Sequence, residues 1–558
     1  MPHTPYSQIS TRVTPQSEPI PGSAQVQNSA GGYSFGIDKW SRLHRFLILG
    51  SEGGSYYAGE QKLTRQNADV VRECIVEDGP RAVSIIVEIS KAGRAPKNDP
   101  AIFALAMAAG VGDVATRRLA LDSLSQVCRT GTHLFQFMGF VENFRGWGRQ
   151  LRRGVAQWFS GKDDDRLAYQ LIKYRQREGY TQHDVLRLAH PADKVSSGNP
   201  TVALTDVQKG LLSWVAGNGQ SDHRLIRAFE MAQRSESPAQ TAALVREFNL
   251  PREALLTEHL NDNDVWMAML DAGMPITAMV RNLATMTRNG LLTPTSEATK
   301  AVLSTLGNAE QIQKSKIHPM QVLMALRTYA AGYSLRGSNR WSPLGQVVDA
   351  LDEAYYLAFG NLRATGKRRM IALDISGSMW GGQVAGIPGF TPAEASGAMA
   401  MCSIVTGDPY EVVAFASDSG YWGRGRHNTG REIFPGLFSM SLSKRQRLDD
   451  VNKAMQEISQ YMGGTDCALP MVYAREHSRE VDVFEIYTDS ETWAGGIQPP
   501  QALAQYRQKS GINAKLVVVG MVSNGFSIAD PNDPGMLDVV GFDTATPNLI
   551  SAFAEGGF

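Results

Sequence analysis

Serine, threonine and aspartate side chains follow short apolar runs in the C-terminal third of the sequence. Asp374 ends one such run and Ser376 and Ser378 come directly after it, while Thr465 follows two glycines and Asp489 ends a later apolar run. Hard cations prefer oxygen ligands, and Mg²⁺ usually keeps some positions for water or for a partner's oxygen. Three hydroxyls and two carboxylates therefore predict a divalent-cation site, with Mg²⁺ expected and Ca²⁺ or Mn²⁺ as alternatives.

The same residues also allow a simpler interpretation. The Asp-x-Ser-x-Ser pattern fits a strand-to-helix turn whose hydroxyls cap the following helix. Asp466 fits a helix cap as well as a ligand, so we favour Thr465 over it. The cation site is favoured because the hydroxyls and carboxylates come in this order at the ends of separate predicted strands, which meet at one edge of a parallel sheet.

A second set of residues has the chemistry of phosphate binding. Residues 141–190 contain ten Lys/Arg and six Asp/Glu. Arg149, Arg152 and Arg153 fall at i, i+3 and i+4, and Lys173 and Arg177 at i and i+4, so helices would present each group on one face. Such clusters contact phosphates without reading sequence. The alternative is an ordinary solvated helical surface.

Two kinds of element must position these residues. Apolar residues recur at spacings of three and four through residues 39–357, with brief turns between, which favours a stacked array of helix pairs with degenerate repeats. Short apolar runs at 369–375, 410–416, 481–488 and 515–521 alternate with helical segments. That alternation predicts a doubly wound α/β domain with a mostly parallel sheet.

The chain is accordingly divided into three parts. Residues 1–35 are rich in Ser, Pro, Gln and Gly, and we expect a flexible tail because they bury too little apolar surface to offset the entropy of ordering. Residues 36–362 are expected to form the helical-repeat module. Residues 363–558 are expected to form the α/β domain.

The bulk composition narrows the class of protein. The 55 Lys+Arg balance the 55 Asp+Glu, so any polyanion must be bound by a local cluster of charge. The four cysteines have neither zinc-site nor disulfide spacing, which favours a reducing, cytoplasmic setting. No membrane span is expected. The sequence lacks nucleotide-binding motifs, and Ser376 and Ser378 have no histidine near them in sequence. We therefore expect that the protein is not an enzyme.

Several longer segments resemble one family. They are residues 42–47, 50–57, 127–135, 173–177, 186–190 and 317–319 in the helical part, and 463–467, 524–530 and 541–543 in the C-terminal part. In this order they resemble the Ro ribonucleoprotein autoantigen family, which joins a TROVE module to a von Willebrand factor A-like domain. The cation residues match that domain's metal-ion-dependent adhesion site, which implies direct coordination by Ser376, Ser378 and Thr465, and direct or water-mediated coordination by Asp374 and Asp489.

The resemblance also implies a fold and a function. The fold is a ring of HEAT-like helical repeats plus a Rossmann-like A domain. Family members bind small noncoding Y RNAs on the outer surface and single-stranded 3′ ends of misfolded RNAs in a central hole, as scaffolds in RNA quality control. The residues implied to contact Y RNA are Lys173, Arg177 and His190, with Arg149, Arg152 and Arg153 as further candidates. His190 also fits a helix C-terminal cap.

Partners and alternatives follow from the same resemblance. In bacterial relatives the Y RNA can tether a 3′ exoribonuclease, and a monomeric bacterial member is expected here. The Gly-rich residues 381–392 and the Ser/Gln-rich start depart from vertebrate members, which leaves open the ligand above the cation. The alternative function is an A-domain adaptor that binds a protein and partners a ring ATPase, and it predicts no RNA binding.

Overall fold

The computed structural model describes residues 13–50, 60–189, 204–334, 338–360, 362–384, 390–417, 432–459 and 463–556. These residues form two compact units. The first unit contains the described residues of Met1–Val70, Arg94–Pro96 and Phe359–Phe558, and the second contains those of Val71–Gly93 and Lys97–Ala358. We refer to them as the sheet unit and the helical unit.

The helices of the described residues are α1 (Lys39–Leu49), α2 (Glu60–Ala92), α3 (Asp99–Val111), α4 (Val114–Asp122), α5 (Leu124–Val127), α6 (Gly131–Val141), α7 (Arg149–Ser160), α8 (Asp164–Lys173), α9 (Gln182–Ala189), α10 (Asp206–Val215), α11 (Arg224–Gln233), α12 (Pro238–Phe248), α13 (Asn263–Asp271), α14 (Ile276–Arg288), α15 (Glu297–Leu306), α16 (Ala309–Ser315), α17 (Pro319–Ala331), α18 (Gly345–Ala358), α19 (Gly377–Trp380), α20 (Pro392–Val405), α21 (Leu448–Ser459), α22 (Leu469–Glu476), α23 (Pro499–Ser510) and α24 (Thr546–Glu555).

The strands are β1 (Gln25–Gln27), β2 (Tyr33–Gly36), β3 (Gln176–Arg177), β4 (Tyr180–Thr181), β5 (Arg369–Asp374), β6 (Tyr410–Phe415), β7 (Glu432–Phe434), β8 (Leu437–Ser439), β9 (Val483–Thr488), β10 (Lys515–Gly520), β11 (Phe526–Ser527) and β12 (Met536–Val540). Two short 3-10 helices, Arg252–Ala254 and Thr257–Asn261, precede α13.

The helical unit is built from amphipathic helices that pack on their neighbours along the chain. In α7, Leu151, Val155 and Trp158 are fully buried, whereas Arg149 and Arg152 are exposed. Side-chain caps begin many of these helices, which satisfies backbone N–H groups that have no partner inside the helix. The predicted helical array is therefore confirmed for this unit.

The main sheet has the strand order β12-β10-β9-β5-β6-β8-β7, and its first five strands are parallel. α22 and α23 contribute to the core on one face, while α20 packs against β5 and β9. Both faces are covered, so β9 and β10 are buried along nearly their whole length. The expected doubly wound α/β domain is confirmed.

The expectation of a flexible tail is wrong for residues 13–35; residues 1–12 lie outside the described part. Thr14, Gln16, Asn28 and Ser34 are buried, and β1 and β2 form a three-stranded antiparallel sheet with β11. Backbone pairing and side-chain hydrogen bonds stabilise this segment. Its order therefore could not be predicted from its low content of apolar residues.

The expected division at residues 36 and 362 also differs from the structure. Residues up to Val70 belong to the sheet unit, because α1 packs beside β12 and the buried Arg45 guanidinium donates to Asp538 at 2.6 and 2.8 Å. At the other end, the sheet unit resumes at Phe359.

Two further findings concern expectations from composition. All four cysteines are buried, and none forms a disulfide. No helix among the described residues is long and apolar enough to cross a membrane.

Candidate cation site and candidate nucleic-acid interface

The five residues predicted to hold a cation lie at the carboxyl edge of the main sheet. Asp374 ends β5, Ser376 is the N-cap of α19, Ser378 lies in the first turn of α19, and Asp489 follows β9, the parallel neighbour of β5. Thr465 lies in the loop before α22. Each of the five is at most 3% exposed. A single buried edge of the sheet therefore holds all of them.

Hydrogen bonds order the first part of this set. Ser376 N donates to Asp374 Oδ1 at 2.9 Å, and Thr488 Oγ1 donates to Asp374 Oδ2 at 2.6 Å. The Ser376 and Ser378 hydroxyl oxygens are 3.1 Å apart. Both oxygens of Asp374 are thus already acceptors, which fits a carboxylate that orients other ligands.

Two oxygens of the set lack hydrogen-bond partners in the described part of the chain: Thr465 Oγ1 and Asp489 Oδ2, both buried. The other oxygen of Asp489 accepts from Glu491 N at 3.0 Å. Buried polar atoms are nearly always paired, because an unpaired one keeps its desolvation cost. A hard cation would satisfy both atoms, so the residues present fit such a group.

The electrostatics of this sheet edge also favour a bound cation. Burial, followed by the nearby Asp489, raises the pKa of Asp374 to about 7. Burial likewise raises the pKa of Asp489. Two buried carboxyls repel each other's charge, and a divalent cation would relieve that repulsion. No group of three or more His, Cys, Asp or Glu suited to a metal occurs among the described residues.

Residues that sequence reasoning missed hold the Asp489 loop. Asn524 Nδ2 donates to the Asp489 carbonyl at 2.7 Å, and Ser34 Oγ donates to the Ser490 carbonyl at 2.8 Å. Ser490 adopts a left-handed backbone with φ of 61°. Asn524 lay inside a segment that matched the family pattern, but no local signal connected Ser34 to this loop.

Asp466 lies in the turn before α22, whose N-cap is Ala468 and which has no side-chain capping hydrogen bond. Its Oδ1 accepts from Ala468 N at 3.0 Å and from Gln16 Nε2 at 2.7 Å. Burial raises the pKa of this carboxyl to about 6. The interpretation of Asp466 as the cap of α22 is therefore wrong, because its carboxyl accepts from Ala468 N in the preceding turn and from Gln16.

The predicted basic residues occupy two neighbouring places in the helical unit. Arg149, Arg152 and Arg153 lie on α7 as expected, but Arg153 is 3.6 Å from Asp122, which also pairs with Arg118 at 3.7 Å. Arg149 and Arg152 are exposed, and neither has an ion pair among the described residues. His190 lies outside the described residues.

The expectation that Lys173 and Arg177 share a helix face is wrong. α8 ends at Lys173, and Arg177 is exposed on the β3–β4 hairpin, whose turn has positive φ at Glu178 and Gly179. Lys173 Nζ donates to Tyr169 Oη at 3.2 Å and lies 5.7 Å from the ring centroid of Tyr174. The helix ends because the chain turns directly into a hairpin.

Glu142 connects the two places. Its carboxylate accepts from Tyr180 Oη on β4 at 2.9 Å and from Trp147 Nε1 before α7 at 3.1 Å. The hairpin that carries Arg177 and the segment that leads to Arg149 therefore lie side by side.

Family comparison agrees with both halves of the fold. The TROVE domain model matches residues 26–225 and 247–329, and the Ro60 vWA domain model matches residues 368–554. The chain is 40% identical over 544 residues to RNA-binding protein RO60 of Deinococcus radiodurans, covering 97% of both chains. It is 33% identical to RNA-binding protein RO60 of Caenorhabditis elegans, covering 98% of this chain and 92% of that one.

A solved structure supports the same relationship. The crystal structure of the Deinococcus radiodurans RO (RSR) protein matches with a TM-score of 0.65 and 39% identity, over 93% of this chain and 100% of that chain. With a TROVE domain and a Ro60-type von Willebrand factor A domain in the same order, this chain belongs to the Ro protein family.

Proposed function

We propose that this protein is a non-catalytic RNA-binding scaffold. Its helical unit presents cationic side chains beside aromatic rings, and both relatives named above are RNA-binding proteins. The observation that carries the proposal is the pair of neighbouring basic surfaces at Lys173–Arg177 and Arg149–Arg152, joined through Glu142. Guanidinium and ammonium groups bind phosphates, and aromatic rings stack on unpaired bases.

The RNA proposed for the outer surface is a small noncoding Y RNA. Arg177, Arg149 and Arg152 are exposed and suited to phosphate contacts, whereas Asp122 partly neutralises Arg153. Lys173 is half-buried between the rings of Tyr169 and Tyr174, so its charge has a fixed position. A fixed charge contributes to shape-specific recognition of a stem, while exposed arginines contribute affinity.

Single-stranded 3′ ends of misfolded or structured RNAs are the second proposed ligand, bound in the central hole of the ring that family membership implies. Bound Y RNA would regulate access to this hole and tether a 3′ exoribonuclease, which makes the protein a scaffold for RNA quality control or decay. We place this function in the cytoplasm, in keeping with four cysteines that form no disulfide.

We also propose that the A domain binds one divalent cation, with Mg²⁺ expected. Ser376, Ser378 and Thr465 would contribute hydroxyl ligands, and Asp374 and Asp489 would coordinate directly or through water. The unpaired Thr465 Oγ1 and Asp489 Oδ2 support this assignment. When bound, the cation would offer an open position to an oxygen of a ligand.

RNA binding is tested with two labelled RNAs, a Y-like stem and a structured RNA with a single-stranded 3′ tail, at two salt concentrations. Lys173→Ala/Arg177→Ala is expected to weaken stem binding by about ten-fold or more, and to reduce the salt dependence by about one counterion for each lost phosphate contact. Arg149→Ala/Arg152→Ala should weaken the binding of both RNAs by a smaller factor, and by a similar factor for each RNA.

The matched control is Arg246→Ala, because Arg246 lies on α12 and is paired with Asp264 at 2.6 Å. It should leave both affinities unchanged. If the wild type binds neither RNA at low salt, the RNA-binding proposal fails, and a protein ligand at the A domain, as in an adaptor of a ring ATPase, becomes the function to test. The TROVE match across the helical unit argues against that alternative.

A further inference from the structure

Residues 13–36, which we call the N-terminal strap, lie against the loop that follows β9. Residues 13–25 of the strap lie outside both matched domain models. Thr14 N donates to Gln501 Oε1 at 2.9 Å, and Gln498 Nε2 donates to the Glu18 carbonyl at 2.8 Å. The strap and this loop both belong to the sheet unit. A segment 450 residues from Asp466 in sequence therefore lies next to the residue that follows Thr465.

Gln16 is the centre of this contact. Its side chain is fully buried, and its Nε2 donates to Asp466 Oδ1 at 2.7 Å and to the Ile497 carbonyl at 2.9 Å. Its Oε1 accepts from Thr492 Oγ1 and from Gly495 N. One amide therefore bonds both to the residue after Thr465 and to the loop that begins at Asp489.

The backbone of the two loops is also tied together at this point. The Thr465 carbonyl accepts from Trp493 N and Ala494 N, both at 3.1 Å. A Cβ on Gly495 would lie 2.3 Å from Gln16 Nε2 and 2.4 Å from Asp466 Oδ1, so this close approach requires glycine. The amide of Gln16 is thus tightly packed between the two loops.

The rest of the strap holds the Asp489 side. Asn28 Nδ2 donates to the Thr492 carbonyl at 2.8 Å, and Ser34 Oγ donates to the Ser490 carbonyl at 2.8 Å. A Cβ on Gly32 would lie 2.0 Å from the Thr492 carbonyl oxygen, so the strap backbone touches this loop directly.

We propose that Gln16 is a positioning residue for the divalent-cation site. This inference rests on the proposed cation site and adds the element that sets its geometry. Thr465 and Asp489 come from separate loops, and Mg²⁺ demands near-ideal octahedral geometry, so a small change in their spacing weakens binding. Gln16 sets that spacing because it bonds to both loops at once. The N-terminal strap is therefore part of the cation site's supporting shell.

The test measures Mg²⁺ and Mn²⁺ affinity by titration calorimetry on the full chain. Gln16→Met keeps the side-chain volume and removes all four amide hydrogen bonds, and it is expected to weaken the affinity by about ten-fold or more, as other supporting residues of metal sites do. The matched control is Gln25→Ala, which removes a strap contact to Gln498 at 3.0 Å but bonds to neither Asp466 nor Thr492, the two residues through which Gln16 joins the loops. It should bind cation as the wild type does.

A second readout separates positioning from general stabilisation. Both variants are expected to lower the melting temperature in EDTA, but only Gln16→Met should show a clearly smaller rise than the wild type when Mn²⁺ is added at one fixed concentration. If Gln16→Met does not fold, Gln16→Asn replaces it, because its shorter amide reaches one loop and not both. The same loss of affinity is expected.

The outcomes are distinct. Wild-type affinity in folded Gln16→Met or Gln16→Asn would overturn the role of Gln16 and leave the cation site standing. Equal losses of cation affinity in the Gln16 and Gln25 variants would show that the strap only stabilises the fold in general. That result would also overturn the role of Gln16. A wild type that binds neither cation would remove the cation site and this inference together.

Discussion

At the scale of the residue, Thr465 Oγ1 and Asp489 Oδ2 are the two oxygen atoms that best fit contact with a bound cation. Both are buried without a hydrogen-bond partner in the described part of the chain, beside the paired hydroxyls of Ser376 and Ser378. Leaving such atoms unpaired costs about 1–3 kcal/mol each. A cation bound to both oxygen atoms would remove this free-energy cost.

Thr465→Ala should therefore have opposite effects with and without cation. In EDTA the variant is expected to be as stable as the wild type or slightly more so, because it removes a buried unpaired hydroxyl. With Mn²⁺ the wild type should gain stability and the variant should gain much less. Melting curves in both conditions check this, with Thr406→Ala as a control, since Thr406 lies at the end of α20 and donates to the Ser403 carbonyl.

Cation binding should also release a proton near neutral pH. Burial and the nearby Asp489 raise the pKa of Asp374 to about 7, so the cation-free protein holds a proton there that its unfolded chain, with an ordinary carboxyl pKa, does not. This group's contribution to stability is therefore lost as pH rises through about 7, and cation binding, which needs the carboxylate, becomes tighter over the same range.

The measurement is calorimetric titration at pH 6 and pH 8 in buffers of different ionisation enthalpy. Weaker affinity and greater proton release are expected at pH 6, and Asp374→Asn should release fewer protons. An affinity that does not change between these pH values would contradict the assignment of Asp374 to the site.

At the scale of the element, α2 consists of two helices joined at Asp78. Its backbone leaves the helical region there, with φ of −147° and ψ of 82°, and its Oδ1 accepts from Arg81 N at 3.0 Å. Pro80 follows within the first turn of the second helix, where its missing N–H has no cost. Asp78 is thus an N-cap inside an apparently continuous helix.

Asp78→Ala is expected to cost about 1 kcal/mol of stability, because it leaves N–H groups of the second helix without an acceptor. Asp78→Asn should retain most of that stability. Urea denaturation of both variants, with the exposed Glu73→Ala as a control, measures the difference. Equal midpoints for Asp78→Ala and Glu73→Ala would show that the cap contributes nothing.

The element scale also shows where local spacing misleads. Lys173 and Arg177 have helical spacing, yet a hairpin begins directly after Lys173. The spacing of Arg149, Arg152 and Arg153 has the same form and does lie on a helix. Gly179, with φ of 78°, was the available signal for the turn.

At the scale of the whole molecule, balanced charge and buried thiols are the notable features. Lys+Arg equal Asp+Glu, so the RNA surfaces must come from local segregation of charge. The four cysteines are distributed over both units and all are buried. Burial raises the pKa of the Cys128 and Cys467 thiols, so neither is a reactive thiolate at neutral pH.

The four thiols should therefore stay unreactive towards a disulfide reagent in the native protein and all react after unfolding. Thiol titration with and without denaturant checks this. Because Cys74 and Cys128 lie in the helical unit and Cys402 and Cys467 in the sheet unit, two fast thiols at intermediate denaturant would show that one unit unfolds before the other. Rapid reaction of any thiol without denaturant would contradict the observed burial.

Features that depend on local order along the chain could be predicted from the amino-acid sequence. Apolar periodicity distinguished the helical array from the parallel sheet, and strand ends placed Asp374, Ser376 and Asp489 at one edge, because parallel strands share their carboxyl ends. Segment matches across both halves identified the family.

The distant residues that support that edge are visible in the folded structure and not in the sequence. Gln16, Asn28 and Ser34 sit in a polar segment with little apolar surface, and their value lies in hydrogen bonds to loops more than 400 residues away. No local pattern encodes such pairing, because each partner is an ordinary polar residue until folding brings the two together and removes water from both.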